Sequence, residues 1–269
     1  MPETTLITIK NILRNLERQH KIKILFAVES GSRAWKMESA DSDYDIRFVY
    51  YRPLKDYISI SPKEQVINAA FDEKLNPCTA HDALYDLSGF DIFKFLHLLK
   101  KSNPSTIEWL ISEIVYLGSV PAELRAYAEK RFDRGTLIRH YRSMAVNDRH
   151  EMEKHQTFTG KKYLYAFRGL LNAFYVKEYN QVPDQNFLRT LESCRQETGE
   201  QLYIALSNLI ESKKHGQEKD NIGRLPIFED TIDKFMLLTE TNADRQNSAE
   251  ENELFLNAYL QKLLLGETA

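Results

Sequence analysis

Cysteine is scarce in this sequence: Cys78 and Cys194 are the only two in 269 residues. Two thiols so far apart form neither a disulfide framework nor a zinc pattern, which fits a reducing, cytoplasmic setting. Long apolar runs are missing as well. No stretch approaches the roughly 20 apolar residues of a membrane span. The polar, amphipathic start from Met1 to His20 lacks the apolar centre of a signal peptide. Charge of one sign is also lacking. The formal net charge is −3, so no global basic field advertises nucleic acid. There is no internal repeat and no low-complexity tract. What is there is an ordinary globular composition, 42% hydrophobic and 28% charged, in a chain long enough for one large or two modest domains.

Leu6, Ile9, Leu13 and Leu16 recur at helical spacing and predict an amphipathic helix over 5–19. Lys23 to Glu29 is short and apolar and reads as a buried strand. Gly31 breaks it, and a short helix is expected from Ser32. Asp43 to Tyr51 is a second strand, rich in β-branched and aromatic residues and ended by Pro53. Gln65 to Ala70 is a third. Ala83 to Leu87 is a fourth, running into a helix start at Ser88–Asp91, where Ser88 and Asp91 have capping-box spacing. Phe93, Leu96 and Leu99 carry that helix on, and another starts near Pro104. After Pro121 the strand signals stop. Helices are expected over 137–157 and 161–179, and after a cap at Pro183–Asp184. Capping-box pairs stand at Thr198/Gln201 and Ser248/Glu251, and polar loops at 213–224 and 239–247. The expectation is an α+β chain: a small mixed β-sheet flanked by helices in 1–120, then an all-helical domain in 121–269.

The chemistry concentrates between Glu29 and Tyr50. Gly31-Ser32 lies between a strand and a helix. Glycine permits close backbone approach, and a helix N-terminus offers N–H groups. The Ser32 hydroxyl and the Arg33 cation would join them in holding nucleotide phosphates. Asp43 and Asp45 start the next strand, where alternation points both carboxylates to one face and Tyr44 to the other. Two carboxylates that close repel unless a cation lies between them. Mg²⁺ suits, with Mn²⁺ as the alternative, because a hard octahedral ion takes one or two carboxylates plus substrate phosphates. A calcium loop is excluded. Asp41, Asp43 and Asp45 have its spacing, but Ile46 stands where glycine is required and Arg52 where the bidentate glutamate belongs.

The whole stretch resembles the signature of the DNA polymerase β superfamily: Gly-Ser, a gap of about ten residues, then Asp-x-Asp. The fuller pattern is G-S-R-A-W at 31–35, D-S-D-Y-D-I-R-F-V-Y at 41–50 and K-S-N-P-x-x-x-E-W-L at 101–110. H-Y-x-x-M-A at 140–145 and K-K-Y-L-Y-A-F-R at 161–168 follow. Together these resemble the predicted nucleotidyltransferases linked to RNA repair, over roughly residues 25–180. Lys36 departs from the pattern, standing where glycine is expected after the tryptophan.

The resemblance implies transfer of a nucleoside monophosphate from an NTP to an acceptor hydroxyl, an RNA end first, with release of pyrophosphate. A protein or small-molecule acceptor is the alternative, as is a non-catalytic nucleotide-binding regulator. It also implies a third carboxylate on a later strand, from among Asp82, Asp86 and Asp91. Asp86 is preferred, because a charge inside an apolar strand is costly without a metal, whereas Asp91 has a capping role to fill. Arg47 shares the face of Asp45 and either touches substrate or orients the carboxylates. The resemblance brings Lys101 and Asn103 toward the nucleotide, together with His140, Lys161, Lys162 and Tyr163. The segment 130–162 holds nine Lys/Arg against four Asp/Glu, a pattern that suits RNA phosphates or a solvated helix face. No membrane partner is expected.

Overall fold

The computed structural model describes residues 2–39, 41–216, 220–241 and 249–266. The elements run α1 (Glu3–His20), β1 (Lys23–Ser30), α2 (Gly31–Ala34), β2 (Tyr44–Tyr51), α3 (Leu54–Tyr57), β3 (Val66–Phe71), a 3-10 turn (Ala80–Asp82), β4 (Tyr85–Asp91), α4 (Ile92–Lys100), α5 (Pro104–Ile111) and β5 (Val115–Gly118). Then come α6 (Ala122–Lys130), α7 (Arg134–His155), α8 (Gly160–Tyr179), α9 (Phe187–Ser193), α10 (Arg195–Lys214), α11 (Pro226–Leu238) and α12 (Ala249–Leu265). The fold is α+β. Among the described residues no helix is long and apolar enough to cross a membrane.

The strands form one five-stranded mixed sheet in the order β3-β4-β2-β1-β5. β2 and β4 are parallel; the other pairs are antiparallel. Alternation along β2 decides the layers. Tyr44, Ile46, Phe48 and Tyr50 are buried with Ile9, Leu13 and Leu16 of α1 on one face. Asp45, Arg47 and Val49 turn to the other. On that second face Phe26, Phe95, Phe90 and Trp109 stack in a chain of rings, so α4 and α5 cover the Val49 end. Trp109 is thereby a buried packing residue. The same face carries Asp45 and Asp86 at the other end of the strands.

The chain forms two compact units. One comprises 1–34, 43–131 and 247–269; the other comprises 35–42 and 132–246. This differs from a single division near residue 120. The segment 35–42 leaves the sheet unit, and α12 rejoins it: Phe255 stacks on Tyr127 at 5.4 Å, and Lys262 pairs with Glu123 at 3.4 Å. The helical unit has its own core of Met37, Phe167, Leu170, Leu171, Phe228 and Phe235.

Several local expectations change. β5 is a strand that the sequence pattern did not announce. β4 runs on to Asp91, so Ser88 is mid-strand and its hydroxyl donates to Asn68 Oδ1 at 2.8 Å instead of starting a helix. α9 is capped by Asn186, which accepts from the Leu188 N–H, not by Pro183–Asp184. Thr198 donates back to the Arg195 carbonyl at 3.1 Å and caps nothing; the break beside it comes from Gly199 at φ 75°. The Ser248/Glu251 pair has Ser248 outside the described residues, as is most of the 239–247 loop.

Gly89 lies under Phe48, where an added Cβ would come within 2.1 Å of the ring. Gly89→Ala must displace a fully buried phenylalanine, and overpacking of that kind costs about 1–3 kcal/mol. Urea unfolding should show a loss in that range; unchanged stability would mean that Phe48 is not fixed as described.

Candidate active site

The centre of the site is a pairing between strands. Asp45 on β2 and Asp86 on β4 are register partners. Arg47 lies one turn of the pleat beyond Asp45, on the same face. Its Nη2 donates to Asp45 Oδ1 at 2.8 Å and to Asp86 Oδ2 at 2.8 Å. Its Nη1 donates to the carbonyls of Ile46 at 3.2 Å and Asp86 at 3.0 Å. The guanidinium is thus locked into the angle between the two carboxylates, and of the two roles expected for Arg47 the structure shows the orienting one. It occupies the position where a cation is needed to relieve their repulsion. The carboxylates are half-buried, so the site is reachable from solvent.

Gly31 is built into this arrangement. Its φ is 67°, in the left-handed region, and a Cβ there would come within 2.0 Å of Asp45 Oδ2. Only glycine lets the turn and the carboxylate lie against each other. Ser32 is buried beside it. Arg33 Nε donates to the Asp43 carbonyl at 3.0 Å, and its guanidinium lies 4.0 Å from the Tyr44 ring centre. Arg33 therefore braces the start of β2. α2 is one short turn, so the turn's N–H groups and not a helix dipole are what it offers a phosphate. Asp43 stands one residue before β2.

Asp91 is not part of this face. It is the N-cap of α4, with Oδ1 accepting from the Phe93 N–H at 3.0 Å and Oδ2 from the Tyr57 hydroxyl at 3.0 Å. Burial holds its carboxyl above the usual range. The structure gives Asp91 the capping role directly, rather than as the third residue of a box begun by Ser88. Asp82 is exposed on the 3-10 turn, tied to Thr79 and His81.

Two residues of the centre were not anticipated. Glu29 is fully buried on β1 beneath Asp45, and its Oε1 accepts the Asp45 N–H at 2.9 Å. Tyr116 on β5 donates its hydroxyl to Glu29 Oε2. Burial, with the Asp45 charge adding to it, pushes the Glu29 carboxyl up to about 8 against the pull of the Tyr116 bond. The available signal was a lone glutamate in the apolar run of β1. Its partner lies on the short strand that the pattern did not reveal.

The remaining candidates fall elsewhere. Lys101 is exposed at the end of α4. Ser102 follows at φ 52°, and Asn103 caps α5 by accepting from Ser105 and Thr106. The K-S-N-P motif is thus a helix stop and a helix start, which assigns Asn103 a structural role. Tyr163 is buried, ringed by Phe158 and Phe228, and its hydroxyl donates to Glu229 at 2.8 Å. It is a core residue and presents no surface to a nucleotide. Gly169 lets α8 approach α7: a Cβ would be 2.9 Å from the Tyr141 carbonyl and 3.1 Å from the Ala145 Cβ. The H-Y-x-x-M-A motif thus forms one side of a helix contact whose other side, Gly169, directly follows the K-K-Y-L-Y-A-F-R motif.

His140 is half-buried on α7, and burial and then Arg139 depress its pKa. Lys161 is exposed and Lys162 half-buried at the head of α8. In the basic segment, Arg149 pairs with Asp233 at 2.5 Å and with Glu153 at 3.2 Å, while Arg142 reaches the Met236 carbonyl at 3.4 Å. Much of that charge is consumed inside the helical unit. Trp35 is also in this unit, under the Arg168 guanidinium at 3.6 Å. Lys36 beside it has φ 59°, the conformation that explains why glycine is expected there.

Among the described residues no group of three His, Cys, Asp or Glu converges closely enough to hold a metal ion. The donor set nevertheless fits a hard cation. Two carboxylates on adjacent strands already share one positive group, the Arg47 guanidinium, so it stands in for such an ion.

Comparison with known proteins identifies a family. The family model described as RlaP, RNA repair pathway DNA polymerase beta family, matches residues 7–262. The uncharacterized protein YcgL of Bacillus subtilis (strain 168) is 33% identical over 253 residues, covering 91% of this chain and 93% of that protein. Among solved structures, a nucleotidyltransferase-like protein from Exiguobacterium sibiricum 255-15 aligns over 97% of this chain and 81% of its own. Its identity is 9% and its TM-score 0.31, and a likeness of that strength carries no argument.

Glu29 makes stability depend on pH. Its folded pKa of about 8 lies above the 4.5 of an ordinary glutamate. Its stabilising contribution is therefore complete below pH 4.5 and drains away as pH rises through about 8, by up to about 1.4 kcal/mol per pH unit. In EDTA, the melting temperature of the wild type should fall between pH 5 and pH 8 more steeply than that of Glu29→Gln. Parallel profiles for the two proteins would show that Glu29 is not the buried neutral acid.

Proposed function

The chain belongs to the RNA repair pathway DNA polymerase beta family, and on that premise we propose that it is a Mg²⁺-dependent nucleotidyltransferase that adds a nucleoside monophosphate to an acceptor hydroxyl, an RNA end in the first instance. The observation that carries this reading is the Asp45–Asp86 pair, set side by side on parallel strands and bridged by one cationic group. Asp45 and Asp86 are the residues that would hold the ion, and Asp43, one residue before β2, is the further candidate. A divalent cation there supplies neutralisation of the carboxylates and draws charge from the phosphates and the leaving pyrophosphate.

The chain's own groups account for the rest. The Gly31–Ser32 turn offers backbone N–H groups and a hydroxyl to the β- and γ-phosphates, beside the Asp45 carboxylate. Asp86 takes the proton of the acceptor hydroxyl. The acceptor oxygen bonds to the α-phosphorus, the bond from that phosphorus to the bridging oxygen breaks, and pyrophosphate departs. Glu29 and Tyr116 hold the Asp45 backbone from below. The family pattern also puts forward Lys101, His140, Lys161 and Lys162 as candidates for phosphate contacts. A non-catalytic nucleotide-binding regulator is the second reading. The intact Asp45–Asp86 pair favours catalysis over it.

Incubation with each α-labelled NTP, Mg²⁺ and RNA, resolved on a gel, tests the reading. Asp45→Asn and Asp86→Asn should each lower transfer by at least about a hundredfold while leaving the fold intact. Asp91→Ala should instead retain transfer and lose about 1 kcal/mol of stability from the missing cap. Full turnover in EDTA, or an Asp86→Asn enzyme as active as the wild type, would overturn the assignment. NTP binding without transfer to any acceptor would favour the regulator.

A further inference from the structure

The catalytic face continues sideways beyond Asp86. Register pairing places Asp45, Asp86 and Ala70 in one row across β2, β4 and β3, and Arg47, Ser88 and Asn68 in the next. β3 is the edge of the sheet. A hollow of about 530 Å³ lies there, lined by Arg47, Asn68, Ala70, Cys78, Asp86 and Ser88, among others. That is within the range of about 300–1,000 Å³ of small-molecule sites. Small side chains create it: Ala70, Ser88 and Cys78 leave room where larger residues would fill the face.

The outer wall is ordered by hydrogen bonds. Asp72 N–H reaches the Asn76 carbonyl, Cys78 N–H the Ala70 carbonyl and Leu84 N–H the Phe71 carbonyl, each at 3.0 Å. The floor is polar and neutral. The Ser88 hydroxyl donates to Asn68 Oδ1 at 2.8 Å, which leaves the exposed Asn68 carboxamide facing solvent with its N–H donors.

The charge around the hollow is unfavourable to phosphate. Arg47 is committed to two carboxylates and two carbonyls. Beyond it, Asp72 and Asp82 stand near the Cys78 side. Each is held below the usual carboxylate range, Asp72 by Asn76 and Asp82 by Thr79 and His81, so both are ionised. Burial and then these two carboxylates raise the Cys78 thiol. A phosphate entering here would meet carboxylates and no uncommitted cation among the lining residues. A neutral group with hydroxyls and hydrogen-bonding edges would meet Asn68, Ser88 and the Asp86 carboxylate.

We propose that this hollow seats the unphosphorylated terminal nucleoside of an RNA acceptor, with Asn68 and Ser88 as its specificity-determining contacts and its free hydroxyl beside Asp86. The proposal rests on the nucleotidyltransferase reading and adds the end chemistry that the enzyme accepts. A broken RNA whose end still carries a phosphate would need a phosphomonoesterase reaction first.

The test uses the full chain with Mg²⁺ and a non-hydrolysable NTP analogue, and compares two labelled oligoribonucleotides that differ only in a 3′-hydroxyl or 3′-phosphate end. Anisotropy should show the hydroxyl end binding at least about tenfold more tightly to the wild type. Asn68→Ala and the hollow-filling Ala70→Leu should each weaken that binding by about tenfold. Calorimetry should show the affinity for the NTP analogue unchanged in both. Equal binding of the two ends, or wild-type binding by both variants, overturns the proposal. So does a wild-type protein that binds the analogue but no RNA, whether or not it then labels a protein acceptor. Failure of the wild type to bind the analogue at all removes the nucleotidyltransferase reading itself, and is read separately by calorimetry.

Discussion

Two carboxylates on neighbouring strands cannot stand side by side without a positive charge between them. At the half-buried surface of a protein, like charges at contact distance repel by a few kcal/mol, about 4 kcal/mol at 4 Å for an effective dielectric of 20. The fold accepts this at Asp45 and Asp86 and neutralises it with Arg47. Much else follows from that choice. The parallel pairing of β2 and β4 sets the two residues level. Gly31 is required because the Asp45 carboxylate occupies the space of its missing side chain. Glu29 and Tyr116 are buried below, where they fix the peptide N–H of Asp45. The helices α4 and α5 shield only the far end of the face and leave the carboxylates open.

The connection between the Gly31–Ser32 turn and β2 has its own logic. The chain leaves the sheet unit after Ala34 and returns at Asp43, and the segment between belongs to the helical unit. Within that unit Trp35 stacks under Arg168, and the Trp35 carbonyl accepts from the Phe187 N–H at 3.1 Å. A tryptophan adjacent to the Gly31–Ser32 turn thus packs against the core of the helical unit. The helix motifs that follow are explained in the same way: Ala145 against Gly169 of the next helix, and Tyr163 against Phe228. A long motif in this chain marks packing as often as chemistry.

That distinction governs what could be read from the sequence. The four longer strand candidates were legible because a half-buried strand alternates and a buried one is apolar. β5 has four residues, of which one is buried, too few to display a period. Asp86 was legible as a charge inside an apolar run, and the preference for it over Asp91 rested on a cap that the structure places one step differently. Glu29 carried the same signal as Asp86, a lone acid among apolar neighbours, and its partner was hidden in β5. Asn103 and Tyr163 were drawn toward the nucleotide by motif membership alone. Local physics, a helix cap and a buried ring with a hydroxyl partner, gives them other work. The division into units was least legible, because the exchange of 35–42 and of α12 depends on contacts far apart in sequence.

The central claim is that the Asp45–Asp86 pair is a divalent-cation and nucleotide site for which Arg47 stands in. Paramagnetic broadening by Mn²⁺ tests it most directly, followed on the side-chain signals of ¹⁵N-arginine-labelled protein with a non-hydrolysable NTP analogue present. Substoichiometric Mn²⁺ should erase the Arg47 guanidinium signal before those of the other arginines. Excess Mg²⁺ should restore it, and Asp45→Asn should abolish the effect. An Arg47 signal that stays sharp while Mn²⁺ broadens arginines elsewhere would contradict the account.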